Sequence, residues 1–222
     1  HEGEGAEAEG ARIFIDEAVQ SRANLLITGA GGSGKTTFLS AILAAADPSD
    51  RIIAVEDVAE LRVEHPHFIA LETRQPNLEG AGGVGLDRLL REALRMRPDR
   101  LVLGECRGGE IRELLSALNT GHDGGAGTLH ANSLDDVPAR LEALGSLAAM
   151  SPQTVARQAV SAIGLVLHLE RRGSRRVLDA VGRFGIDAGG RLRVEGATVR
   201  RVEGGPPQLS AASLSLEPGQ TL

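Results

Sequence analysis

The 222-residue sequence contains no tryptophan, no tyrosine, one cysteine and one lysine. Each shortage excludes something. A lone Cys106 can neither close an internal disulfide nor build a cysteine-rich zinc site, and it fits a reducing cytoplasm. Without Trp or Tyr, two of the side chains that usually stack on nucleic-acid bases are missing. The net charge of −6 also argues against a general nucleic-acid binder. No apolar run approaches the ~20 residues needed to cross a bilayer. The first ten residues, HEGEGAEAEG, lack the basic and apolar regions of a signal peptide. Positive charge is carried almost wholly by arginine, and the one lysine is Lys35.

Apolar residues make up 41% of the chain, enough to build one core. Residues 1–10 read as a flexible end and 204–222 as a mobile tail, with one domain over 11–203. Within it, apolar runs alternate with stretches of helical spacing. NLLIT, RIIAVE, DRLVLGE and AGTLHA read as buried strands. ARIFIDEAVQSR, KTTFLSAILAAA, GLDRLLREALRM, GEIRELLSALNT, LDDVPARLEALGSL and SPQTVARQAVSAI read as helices. Pro98 should end the third of these, Gly121 the fourth, and Ser-Pro should open the last. GLVLHLERR and RRVLDAVGRF read as further strands, and RLRVEGATVRRV as a short hairpin of its own. The pattern implies an α/β fold: a mostly parallel sheet with helices on both faces and a late antiparallel extension.

Residues 29–37 read GAGGSGKTT. They fit G-x-x-x-x-G-K-[ST], with a strand before and a helix after. Gly29, Ala30, Gly31, Gly32, Ser33, Gly34, Lys35, Thr36 and Thr37 are therefore expected to surround phosphate. The glycines let successive backbone N–H groups face phosphate oxygens, and the helix N-terminus adds partial positive charge. Lys35 would reach the β/γ-phosphates of ATP and Thr36 would ligate Mg²⁺. This explains why the one lysine stands here. An ammonium is a compact point charge, whereas a guanidinium is a wide planar fork that does not fit inside a backbone ring closed on phosphate.

Such a loop needs carboxylates for the magnesium shell and for water. Glu105 follows the apolar run LVLG, and Glu56, Asp57 and Glu60 follow IIAV. Both groups fall at C-terminal strand ends, where open α/β sheets bind ligands. His122 and His130 flank the glycine-rich stretch of NTGHDGGAGTLHANS, and either imidazole could donate to the γ-phosphate. His65 and His67, in EHPHF, lack further ligands and read as a plain loop.

Taken in order, GAGGSGKT, AVEDVAEL, RMRPDRLVLGECRGGE and NTGHDGGAGTLHANS resemble the phosphate loop, Asp box, Walker B strand and His box of the type II and type IV secretion ATPases. Within that family the sequence most resembles the tight-adherence (Flp-type) pilus branch, through ETRQPN before LLREALRMRPDR, with the conjugation and effector-export ATPases next. The resemblance spans roughly residues 11–170. It implies a RecA-like domain of a cytoplasmic homohexamer, seated on inner-membrane platform proteins and driven by Mg²⁺ and ATP, with no nucleic acid as partner. It also implies roles: Glu105 acting on water or through the Mg²⁺ shell, Glu56 and Glu60 assisting, His130 and His122 sensing the γ-phosphate, and Arg107 placing charge near the site or a subunit joint. Arg91, Arg95 and Arg97 join the candidates for phosphate or neighbour contacts. Members of this family carry a domain before this one, whereas only 28 residues precede Gly29; a fragment or an unusually short member is the expectation. Two other readings remain at this stage. One is a RecA-like nucleic-acid motor, the other a nucleotide-binding assembly module with little activity of its own.

Overall fold

The computed structural model describes residues 15–200 and 208–209. The chain opens with α1 (residues 15–20) and continues β1 (Leu25–Gly29), α2 (Lys35–Ala44), β2 (Ile52–Glu56), β3 (Phe68–Glu72), α3 (Leu86–Arg95) and β4 (Arg100–Cys106). Then follow α4 (Ile111–Leu118), β5 (Ala126–His130), α5 (Val137–Leu147), α6 (Pro152–Ala162), β6 (Leu165–Arg172), β7 (Arg175–Ile186), β8 (Leu192–Arg200) and β9 (Gln208–Leu209). The strands lie in the order β3-β2-β4-β5-β1-β6-β7-β8-β9. The first six are parallel, and β6 to β9 are antiparallel.

Strand parity divides the core. Leu25, Ile27, Ile52, Ala54, Leu165, Leu167 and Leu169 face α1 and α2, where Val19, Leu39 and Leu43 meet them. Leu26, Ile53, Val55, Leu101, Leu103 and Val166 face the other way, onto Leu90 of α3, Leu114 of α4, Leu141 of α5 and Val155 of α6. Because both faces are covered, β1 and β2 read as continuous apolar runs and are buried throughout. Helix ends follow local chemistry. The Ser151 hydroxyl accepts from Thr154 N–H at 3.2 Å and caps α6. Arg97 takes a left-handed φ of 54° between α3 and Pro98, so the helix stops there.

Two strand readings are corrected. RLRVEGATVRRV is no hairpin of its own: residues 192–200 form the single strand β8, paired along β7. The reversal lies earlier, at DAGG, where the Asp187 carboxylate accepts from Gly189 and Arg191 N–H, and Gly190 has φ 77°. Gly196 is present because Leu134 crosses there, and a β-carbon would strike it. The strand β3 was not anticipated. It is five residues long, sits at the sheet edge and is only half-buried. The domain limit at 203 and the tail lie outside the described residues, except that Gln208–Leu209 pairs with β8.

Candidate functional site

β1 ends at Gly29, and the loop 30–34 turns directly into α2. Gly32 and Gly34 have φ of 71° and 93°, a region that favours glycine. Gly34 also carries the shaft of Arg176, since a β-carbon there would lie 2.6 Å from Arg176 Cδ. No side chain caps α2, so its first N–H groups are left open toward the loop. Lys35 Nζ donates to the Gly29 and Ala30 carbonyls, at 2.9 and 3.0 Å, holding the ammonium over the loop. Burial lowers the Lys35 pKa, and the Glu105 charge partly opposes that. Ser33 Oγ is buried beneath the loop without a hydrogen-bond partner.

The carboxylates arrive from β2 and β4. Glu56 is 3% exposed. Its Oε1 accepts from Glu60 N–H and Leu61 N–H, both at 3.0 Å, and so shapes the turn after β2. Its Oε2 is buried without a hydrogen-bond partner. That turn brings Glu60 to Thr36, whose hydroxyl donates to Oε2 at 3.5 Å. In β4 the pairing register shifts between Leu103 and Cys106, which places Gly104 and Glu105 in an irregularity beside the site. Gly104 is small because Glu56 crosses it: a β-carbon would lie 2.7 Å from Glu56 Cγ. Thr128 of β5 donates to the Gly104 carbonyl at 2.6 Å. Glu105 Oε2 accepts from Arg107 Nε at 2.6 Å, and Glu110 fixes the turn by accepting from Arg107 and Gly108 N–H. Cys106 turns into the core, where burial first, and then nearby Glu110 and Glu105, push its thiol pKa well up.

These groups line one cavity of about 630 Å³: Gly31, Gly32, Gly34, Lys35, Thr36 and Thr37 on one wall, Glu56, Asp57, Glu60, Glu105 and Arg107 opposite, with Thr128, His130 and Arg176. His130 reaches the loop from the end of β5, 3.9 Å from where a Gly31 β-carbon would be. His122 does not join them. It precedes β5, at the opposite edge of the sheet, with Nδ1 3.2 Å from the Ala117 carbonyl. A five-residue strand is roughly 15 Å long, and that length separates the two histidines. Arg91 and Arg95 of α3 also lie elsewhere: Arg91 pairs with Asp87 and with Glu113 of α4, and Arg95 with Glu92. Arg97 ends that helix. His65 and His67 hold loop contacts, to the Asp47 carbonyl and to Arg51. Arg176, Thr128 and Glu110 were missed. Arg176 is drawn in by a strand pairing, and Thr128 and Glu110 act on backbone groups, so no local motif announces them.

Among the described residues, no three His, Cys, Asp or Glu side chains converge to hold a metal by themselves. The donors here are the Thr36 hydroxyl and carboxylates, one with a buried unpartnered oxygen. Such a hard all-oxygen set suits Mg²⁺ shared with phosphate, an ion that seldom takes a full protein cage.

Fold and site define a RecA-like α/β domain with a glycine-rich loop between β1 and α2. The chain belongs to the family described as "Type II/IV secretion system protein", which it matches over residues 3–191. It is 48% identical over 177 residues to a putative conjugal transfer protein of Mycobacterium tuberculosis H37Rv, covering 79% of this chain and 50% of that one. With the conjugal transfer protein TrbB of Rhizobium radiobacter it shares 39% over 171 residues, 75% of this chain and 50% of the relative. It thus spans about half the length of these curated relatives. Among solved structures, it resembles the VirB11 ATPase of the Brucella suis type IV secretion system in complex with sulphate, at TM-score 0.65 and 29% identity, covering 79% of this chain and 52% of that one. The pilus retraction motor PilT with bound ADP matches in fold, at TM-score 0.55 and 24% identity, over 85% of this chain and 52% of that one. Among the described residues, no helix is long and apolar enough to cross a membrane.

Proposed function

We propose that this chain is the ATP-hydrolysing domain of a motor for secretion or pilus assembly. One observation carries the reading. The Lys35 ammonium, held over its loop by the Gly29 and Ala30 carbonyls, shares one cavity with Glu105 and with Glu60, which accepts from Thr36. Lys35 and open N–H groups stand on one side, and carboxylates, with Arg107 bonded to Glu105, on the other. A triphosphate can lie between them, with its terminal phosphate toward the carboxylates.

The loop N–H groups and Lys35 would hold the phosphates. Thr36 and Glu105 would hold Mg²⁺, with Glu56 and Glu60 beside them, and the ion would supply positive charge against the phosphates. Glu105 would also orient or deprotonate the attacking water. Arg107 sets the position of that carboxylate, and the Glu110 carboxylate sets the backbone of Arg107. His130, which lines the cavity beside Gly31, would contact the γ-phosphate. By analogy with the family, the full-length protein would act as a homohexameric ring on the cytoplasmic side of the inner membrane, working on platform proteins of a secretion or pilus machine. The relatives named for conjugal transfer and type IV secretion support this assignment.

Lys35→Ala in the full-length protein tests the site. It should abolish ATP and ADP binding by calorimetry and leave the far-ultraviolet circular dichroism unchanged, because the side chain bonds only to the loop. Unchanged nucleotide affinity would remove the phosphate-loop assignment. Light scattering of the full-length protein with nucleotide should give a hexamer mass.

A further inference from the structure

The strands β6 and β7 meet in the sequence ERRGSRRV, with four arginines around a Gly-Ser turn. Side chains alternate across a strand, so the four split between two faces. Leu165, Leu167 and Leu169 face α2. Arg171 continues that stripe past the edge of the sheet, onto the phosphate loop. A β-carbon on Gly32 would lie 3.9 Å from Arg171 Nη1. Arg176 is the cross-strand partner of Arg171 and shares its face. Arg176 Nε lies 3.4 Å from the Gly32 carbonyl, and its shaft lies on Gly34.

Two guanidiniums directly opposite one another on a hairpin repel. Elsewhere on this hairpin such charge is neutralised: Arg172 pairs with Glu170 and Asp179. Among the described residues, Arg171 and Arg176 have no such relief. Among the described residues no carboxylate lies within ion-pair distance of either, and Arg171 Nε donates only to the Gly173 carbonyl, at 3.0 Å. The uncompensated pair therefore stands against a loop built for anions.

Sheet order shows which part of an anion it meets. β1 has β5 on one side and β6 on the other. His130, Glu105 and Glu56 all come from the β5-β4-β2 flank. Given ATP in the loop, as argued above, the reacting end of the triphosphate lies on that flank. Its nucleoside end crosses the loop toward β6. We propose that Arg171 and Arg176 form a clamp on the phosphates nearest the nucleoside, the part that ATP and ADP share. Guanidiniums suit this task, since their planar forks can bind phosphate oxygens in pairs. The clamp serves binding rather than the chemical step.

The test uses the full-length protein and the variants Arg171→Gln, Arg176→Gln and Arg172→Gln. All three side chains are exposed, so melting temperatures should stay within about 2 °C of wild type, as is usual for surface substitutions. Kd for ADP and for ATPγS should each rise about 10-fold to 100-fold in the first two variants, the range expected for losing a charge-assisted hydrogen bond. The rise should be the same for both nucleotides. KM for ATP should follow it, and kcat should stay within about twofold, the signature of lost uniform binding. Arg172→Gln should change neither. Loss confined to ATPγS would overturn the assignment by pointing to the γ-phosphate. So would ADP affinity within twofold of wild type, or a fall in kcat at unchanged Kd. A wild-type protein that binds neither nucleotide would instead overturn the underlying ATPase reading.

Discussion

Arg107 Nε donates to Glu105 Oε2 at 2.6 Å, just past a register shift in β4. The guanidinium thereby holds the carboxylate proposed to act on water. Glu105→Gln keeps the shape and removes the charge. It is expected to leave ADP affinity within about threefold and to cut ATP turnover by about 10²–10⁴-fold, as for loss of a general base. Single-turnover hydrolysis in the full-length protein measures this. A loss below about threefold would exclude Glu105 from the reaction.

Gly104 has no room for a side chain, because Glu56 Cγ would sit 2.7 Å from its β-carbon. Gly104→Ala should push Glu56 off the turn that holds Glu60 near Thr36. Overpacking of this kind costs about 1–3 kcal/mol of stability. Displacing a carboxylate by about an ångström should lower turnover by roughly a hundredfold. Urea denaturation and steady-state assay check the two effects separately. Wild-type turnover in the variant would mean that the Glu56 position is not needed for catalysis.

At the opposite edge of the sheet, Arg100 Nε donates to Asp50 Oδ2 at 2.6 Å, with Arg22 on the other oxygen. Arg100 also donates to the Val19 carbonyl at 3.0 Å. Both Asp50 and Arg100 are buried. Asp50→Ala would leave a buried guanidinium without its anion, which typically costs about 3–5 kcal/mol. The expected outcome is a large drop in denaturation midpoint with ADP affinity unchanged. A shift below about 1 kcal/mol would mean that water reaches the pair.

His168 is 4% exposed on β6, with Nδ1 2.8 Å from Thr28 Oγ1 at the root of the phosphate loop. Burial lowers its pKa; the Asp179, Glu170 and Asp136 charges and a hydrogen bond to the Asn132 backbone oppose this without reversing it. In the unfolded chain the group titrates near ~6.5. Below that pH the unfolded state takes up a proton that the folded state refuses, so stability rises with pH through this window. The His168 contribution is therefore fully present above about pH 6.5. It is lost as pH falls from there toward the lower folded value. Denaturation midpoints at pH 7.5 and about pH 5.5 should fall further apart in wild type than in His168→Gln. Equal pH dependence in the two proteins would show that His168 ionises freely in the folded state.

The placements legible in the sequence rest on contiguous residues or on one simple rule of sheets. GAGGSGKT builds its own loop, because its glycines and the start of α2 are neighbours in the chain. Glu56, Glu105 and His130 could be grouped because parallel strands deliver their C-terminal ends to one edge. The strand β3 escaped notice because FIALE is short, half-exposed and preceded by a loop with two histidines. RLRVEGATVRRV read as a hairpin because its glycine suggests a break, whereas Gly196 makes room for Leu134 within the single strand β8.

By itself, the sequence determined the alternating α/β pattern, the glycine-rich turn that carries the one lysine into α2, and the carboxylates that follow β2 and β4. These are local facts, set by periodicity, backbone freedom and the chemistry of adjacent side chains. Only the tertiary structure decided which distant groups enter the cavity. His122 is eight positions from His130, yet the length of β5 separates them. Arg176 is 144 positions from Gly32, yet it touches the loop. It does so because β6 pairs with β1 and the β6–β7 register sets Arg176 opposite Arg171. Register and strand order arise from burial on both faces of the whole sheet, and no window of the chain contains that information.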